Sequence, residues 1–220
     1  MTKSMEILVS EIFLSIQGES TFAGWPCAFI RLAGCGHGCR FCDTSYAEQD
    51  GVTMTIGEAV ARTIGFGAPC IEVTGGEPLL QAGAYPLLED LCEECPNVLL
   101  ETGGFLPVDK VDPRVRIILD IKPPSSGVAG ENCLTNIDLA LESPQRLEFK
   151  FVLASREDYL WAKSFIFEQQ IAGTCTILFG AVFGQLDPQL LASWILSDRL
   201  PVRMQLQLHK YIWQPDTRGV

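Results

Sequence analysis

The chain has 220 residues, 47% of them hydrophobic and 20% charged, with a net charge of −11. That length buries a core without disulfide staples, and the proportions are those of a soluble globular protein, read as one domain over residues 1–220. The acidic surface argues against nucleic acid as a partner, because it repels phosphate backbones. No apolar run reaches the roughly 18 residues of a membrane span, and no cationic segment followed by an apolar stretch marks a signal peptide. These absences point to the cytoplasm, with no membrane partner. In a reducing compartment the nine cysteines stay free or bind metal, and an odd number fits poorly with a fully paired disulfide framework.

Strands are predicted at residues 6–13 and 27–32. Thr55-x-x-Glu58 is a capping box that opens a helix running to about Ile64. A short buried strand follows at 70–74, then a helix at 79–95 whose middle Pro86 weakens. Further strands are predicted at 98–101, 115–121, 147–153 and 175–179, with helices at 158–170 and 188–196. Asp187 suits the N-cap of the latter helix and Pro188 its first position. A last strand is predicted at 202–208. This alternation implies an α/β fold with a mostly parallel sheet. The units are too few for a closed eightfold barrel, so a partial (β/α)6-type barrel is expected, its site at the carboxyl ends of the strands.

The segment after the second strand contains Cys35-x3-Cys39-x2-Cys42. Gly36 and Gly38 give it backbone freedom, so three thiolates can wrap one metal centre. Three ligands leave a coordination position open, as a catalytic centre needs. A [4Fe–4S] cluster is the first reading. A zinc site with His37 as fourth ligand is the alternative, strained because His37 lies within the loop. Cys92 and Cys95 form a lone pair on a predicted helix and are read as packing. Cys27, Cys70, Cys133 and Cys175 are read as core, and Trp161, Trp194 and Trp213 as core or interface.

Three cysteines in this spacing after a strand resemble the hallmark of the radical S-adenosylmethionine superfamily. Thr74-Gly75-Gly76-Glu77-Pro78 resembles its GGEP motif, in which strand-end backbone receives the methionine end of the cofactor. Within the superfamily the chain resembles the 7-carboxy-7-deazaguanine synthase family over most of its length. Residues 12–20 resemble that family's SxQGEG segment, with Ser20 in place of the last glycine. Residues 31–35 resemble its lead-in to the cluster, 41–44 its FCDT stretch, 120–125 its DLKxPxS stretch, and 209–213 its tail.

The resemblance implies residue roles. Cys35, Cys39 and Cys42 would hold the cluster. Ile16, Gln17, Gly18 and Thr74 would line a pterin substrate, and Arg31 would pair with its carboxylate. Phe41, Cys42, Asp43, Gly76, Asp120, Ile121 and Lys122 would contact S-adenosylmethionine. Thr44 would give its hydroxyl to Mg2+. Blander readings stand beside these: a turn at Gln17 and Glu19, a helix cap at Thr44, and a mutual ion pair of Asp120 with Lys122. Arg31, in an apolar strand, needs an anion from substrate or protein. In some members the C-terminal carboxylate also holds substrate; that role is not carried over to residues 214–220 here.

The implied reaction is radical ring contraction of 6-carboxy-5,6,7,8-tetrahydropterin to 7-carboxy-7-deazaguanine with loss of ammonia. A flavodoxin or ferredoxin as reductant and a homodimer are the family expectations. Two other functions share parts of the pattern. A glycyl-radical-enzyme activase would share the cysteine loop but not need Gln17 to Glu19 or Arg31. A non-catalytic iron–sulfur or zinc protein would leave residues 74–78 unexplained.

Overall fold

Successive side chains on a strand point to opposite faces of its sheet. The computed structural model, which describes residues 4–220, uses those two faces for different work. Its strands are β1 (Glu6–Ile16), β2 (Pro26–Leu32), β3 (Val52–Thr55), β4 (Cys70–Gly75), β5 (Val98–Thr102), β6 (Arg116–Asp120), β7 (Leu147–Leu153), β8 (Thr176–Ala181) and β9 (Arg203–Gln205). They form a 9-stranded sheet in the order β3-β1-β2-β4-β5-β6-β7-β8-β9. Every pairing from β2 across to β9 is parallel. The sheet is not closed; β3 and β9 are its edges.

Helices α1 (Ile56–Ile64), α2 (Ala84–Glu94), α3 (Thr135–Glu142), α4 (Arg156–Glu168) and α5 (Pro188–Asp198) lie in the crossovers, and α6 (His209–Ile212) follows β9. Among the described residues no helix is long and apolar enough to cross a membrane. One sheet face packs against the helices: Ile30, Val73, Leu100, Leu119, Phe149 and Phe151 meet Leu88, Leu91, Tyr159 and Leu191 in the main core. The opposite face starts with a smaller apolar cluster of Cys27, Phe29, Cys70, Leu99 and Ile118. Two residues further along each strand the same face turns polar. Arg31, Glu72, Glu101 and Asp120 follow Phe29, Cys70, Leu99 and Ile118, and all line one cavity.

The structure departs from the predicted elements in a few places. β1 is longer than expected and runs antiparallel to β2 and β3, with its register shifted between Val9 and Glu11. The unpredicted β3 is four residues long and ends at Thr55, which then caps α1: Glu58 N–H donates to Thr55 Oγ1 at 3.2 Å, and Thr55 N–H to Glu58 at 2.8 Å. The unpredicted α3 has Leu134 as its N-cap and no side-chain cap, so its start carries no sequence signal. The 79–95 helix is broken before α2, not at Pro86, which lies in the first turn of α2 where its missing N–H costs no helical bond. The break lets Gln81 bond Leu8 on both sides, at 2.8 and 2.9 Å, and brings Gly83 against β1, where an added Cβ would lie 2.5 Å from Ile7. The strand expected at 202–208 shortens to β9.

Phe149 on β7 is fully buried. Phe149→Ala should lower stability by about 3–5 kcal/mol, through lost transfer energy and the cavity left behind. Denaturant unfolding of the anaerobic protein measures this; a loss under about 1 kcal/mol would contradict the packing described.

Candidate active site

The cysteine loop runs off the end of β2. Gly34, Gly36 and Gly38 all have left-handed φ, at 90, 81 and 68°. Side chains resist that region, so glycine at alternate positions is what lets the chain coil and turn its cysteines. Cys35, Cys39 and Cys42 all line the cavity. Burial raises the pKa of Cys35 and Cys39; Cys42 adds to both rises, and Cys35 adds to that of Cys39. Three soft sulfur donors facing one space suit an iron–sulfur cluster. Among the described residues no three His, Cys, Asp or Glu side chains gather as ligands of a single metal ion. His37 is directed elsewhere: its ring stacks on Phe105 at 3.7 Å, and its Nδ1 lies 2.5 Å from Glu131.

The two glycines of the GGEP segment clamp this loop. A Cβ on Gly75 would lie 2.1 Å from the Leu32 carbonyl, and one on Gly76 would lie 2.1 Å from that of Gly34 and 2.9 Å from Cys35 Cβ. Gly76 N–H donates to Leu32 at 3.1 Å and Glu77 N–H to Gly34 at 2.9 Å. The Glu77 carboxylate is 1% exposed and accepts from Thr102 Oγ1 at 2.8 Å, Gly103 N at 2.9 Å and Leu79 N at 3.1 Å. It ties β4 to the end of β5 just beneath the loop.

The cavity has a volume of about 670 Å³. Ile16, Gln17, Gly18, Arg31, Phe41, Asp43, Thr44, Thr74, Gly76, Asp120 and Lys122 line it together with the three cysteines. Ile121 is set apart. Asp120 faces the cavity, so the next side chain turns to the helices, where Ile121 is 2% exposed in the main core. That leaves the backbone of Ile121 for any contact with the cofactor. Thr44 stands at the N-cap of a short 3-10 turn, yet its side chain makes no capping bond, so the cap role is not taken. Arg31 has a protein anion: its Nε donates to Glu11 at 2.8 Å, and Tyr46 OH donates to the same oxygen at 2.7 Å. Asp120 and Lys122 do pair, at 2.7 Å. Asp43 pairs with Lys210 at 2.8 Å, and Pro215, Asp216 and Val220 bring the tail to the cavity wall.

The sequence reading missed the charged centre of this cavity. Lys150 on β7 is 3% exposed; it donates to Glu101 and to Glu19 at 3.3 Å, and lies 3.7 Å from Asp120. Burial disfavours its charge, but Glu101, Glu19 and Asp120 outweigh that and hold its pKa well above the lysine range. Burial pushes Glu19 up to about 7, Lys150 offsetting only part of the rise. Glu72 is also raised well above the carboxylate range, by burial first and Glu101 second. The available signal was a charged residue at a position two away from an apolar one in a parallel, buried strand.

The radical SAM superfamily model matches residues 29–122. A 7-carboxy-7-deazaguanine synthase from Chlorobaculum tepidum is 67% identical over 220 residues, covering 100% of both chains. The chain belongs to the 7-carboxy-7-deazaguanine synthase family. Another synthase of that name, from Koribacter versatilis, is 37% identical over 96% of this chain and 99% of its own. A crystal structure of QueE from Escherichia coli has the same fold, with a TM-score of 0.71 at 22% identity, covering 93% of this chain and 96% of that one. Family membership makes the chain a radical enzyme that uses a [4Fe–4S] cluster and S-adenosylmethionine.

Two predictions follow from this geometry. Gly76→Ala should push the Gly34 carbonyl and Cys35 out of place, and reconstituted protein should then hold less than about half the iron of the parent. Unchanged iron content and cluster absorbance would contradict the clamp. The second concerns pH. Glu19 rises from 4.5 to about 7 on folding. The folded chain thus binds more protons than the unfolded chain between those values, and stability falls as pH rises through that window. Glu19→Gln should make that slope shallower by up to one proton, on the order of 2–3 kcal/mol across the window. Denaturant unfolding at stepped pH checks it; an unaltered slope would count against the assignment.

Proposed function

We propose that the chain converts 6-carboxy-5,6,7,8-tetrahydropterin to 7-carboxy-7-deazaguanine with loss of ammonia, acting as a carbon–nitrogen lyase. The observation that carries this reading is one cavity that joins the cysteine loop to Arg31, Gln17 and Thr74. When bound, the cluster and S-adenosylmethionine supply the one-electron chemistry that starts the reaction. Cys35, Cys39 and Cys42 hold the cluster in this reading. Phe41, Cys42, Asp43, Gly76, Asp120 and Lys122 contact the cofactor at the same end, and Ile121 does so through its backbone. Ile16, Gln17, Gly18 and Thr74 line the substrate. Arg31 keeps its terminal nitrogens for the substrate carboxylate while Glu11 holds its Nε.

Thr44 gives its hydroxyl to Mg2+, supported by its place on the cavity wall and its unused capping position. A flavodoxin or ferredoxin as electron donor and a homodimer as the assembled form are taken from the family resemblance. A cytoplasmic location is supported by nine cysteines that are all free. The activase and the metal-binding scaffold are disfavoured, because neither accounts for Arg31 and Gln17 facing the cysteine loop across one cavity.

The test is anaerobic reconstitution followed by cofactor, reductant, Mg2+ and the tetrahydropterin, with product followed by mass. 7-Carboxy-7-deazaguanine should form. Thr44→Val should raise the Mg2+ concentration giving half-maximal rate by about tenfold, with iron content unchanged. Cofactor cleavage without this product would sink the substrate claim, and an unaltered Mg2+ response would remove Thr44 from the metal.

A further inference from the structure

Glu72 has no part in the reaction as described above, yet it is one of the most buried carboxyls in the molecule, at 2% exposure. It stands on β4 opposite Phe29 of β2. Below it lie Cys27, Cys70 and Leu99, an apolar floor that offers no charge. Lys150, the nearby ammonium, bonds Glu101 and Glu19 and lies near Asp120, with no bond to Glu72. Among the described residues the hydrogen-bond partner of Glu72 is the side-chain amide of Gln17.

Gln17 is itself 3% exposed and is held through its backbone as well as its side chain. Its backbone N–H donates to Trp25 and its carbonyl accepts from Gly24, both at 2.8 Å. Its Oε1 accepts from Glu19 N–H at 3.0 Å, and its Nε2 donates to Glu72. The two contacts are of opposite sense, so they define which end of the amide is oxygen and which is nitrogen. One Nε2 hydrogen and one Oε1 lone pair are left for a ligand. A pterin presents both donors and acceptors along its pyrimidine edge, and an amide matches such an edge in only one of its two orientations.

We propose that Glu72 is a positioning residue for the substrate, which by accepting a hydrogen bond from Gln17 Nε2 sets the amide in the orientation that reads the pterin edge. This deepens the proposed function and rests on it. The local charge supports it. Seven acidic side chains, Glu72 among them, line the cavity with three lysines and Arg31. Glu72, with no cation bonded to it, is pushed well above the carboxylate range, first by burial, and Lys150 offsets only part of the rise. A neutral carboxyl still accepts through its carbonyl oxygen, and it adds no negative charge beside an anionic substrate.

The experiment uses reconstituted protein and 6-carboxypterin, a fluorescent and unreactive probe, with affinity read by fluorescence titration. Glu72→Leu should weaken binding about tenfold, and Glu72→Gln, which keeps a carbonyl acceptor, should stay within about threefold of the parent. Gln17→Ala combined with Glu72→Leu should be no weaker than Gln17→Ala alone, within about threefold. Losses that add in the double variant, or full affinity in Glu72→Leu, would overturn the proposal. Iron content and S-adenosylmethionine affinity are read on each variant. If both Glu72→Leu and the volume-preserving Glu72→Met fail to load iron, Glu72 is structural and the proposal falls. Failure of the parent protein to bind the pterin rejects the substrate reading itself, whereas parent binding with no loss in Glu72→Leu rejects only the positioning role.

Discussion

One ammonium group organises the interior of this sheet. Lys150 projects from β7 between two phenylalanines that point the other way, into the helices. A lysine at 3% exposure is tolerable only if anions surround it. Those anions come from three separate places: Glu101 from β5, Asp120 from β6, and Glu19 from the turn after β1. The ion pairs therefore join the middle of the parallel sheet to its antiparallel start. They draw the Gln17 to Glu19 segment over the strand ends and so form one wall of the cavity. Carboxyls outnumber cations there, and burial answers the excess by raising Glu19 to about 7 and Glu72 well above the carboxylate range.

The cluster end of the cavity is held differently, by backbone. Gly75 and Gly76 bring the end of β4 within contact of Leu32, Gly34 and Cys35, closer than any side chain allows. The motif is often read as exposing backbone to a ligand. Here its glycines also have a neighbour inside the chain, and the two needs are compatible because each strand end has two sides. Glu77 extends the clamp to β5 through Thr102 and Gly103. The positions of cysteine loop and substrate wall are thus coupled through β2 and β4, adjacent strands in one register.

What was legible in the sequence was what is local. Cys35, Cys39 and Cys42, the glycines between them, the Thr55–Glu58 capping box and the Asp187 cap all act within a few residues; the two caps stand in the structure as read, and the glycines have the left-handed φ that the loop needs. The alternation of strands and helices predicted a parallel sheet, and the sheet is parallel from β2 onward. The charged centre was not legible because its partners lie far apart in the chain: Lys150 and Glu19 are separated by 131 residues, Lys150 and Glu101 by 49. Nothing near Lys150 in sequence says which anion it meets. Helix α3 was hidden for the opposite reason, since its start lacks the local side-chain cap that marks α1, α4 and α5. Ile121 shares a motif with Asp120 and Lys122, but strand alternation turns its side chain into the core.

Arg31 and Glu72 show how one alternation yields two kinds of recognition. Both lie on the cavity face, on adjacent strands, and each is paired with a protein group before any substrate arrives. Glu11 lies directly across the antiparallel pair from Arg31, and it takes the Nε at 2.8 Å. A guanidinium has five N–H donors in one plane, so engaging Nε orients the fork and leaves the terminal nitrogens for a second anion. Phe13 and Tyr46 rings, 5.7 and 6.0 Å from the guanidinium carbon, flank it and favour the same cation. Glu72 has the reverse setting, with an apolar floor and an amide in place of a cation. In the proposed reading, the chain keeps a charge where an anionic group is to be bound and withholds one where a neutral edge is to be read. The difference comes from the residue opposite, Glu11 in one case and Phe29 in the other.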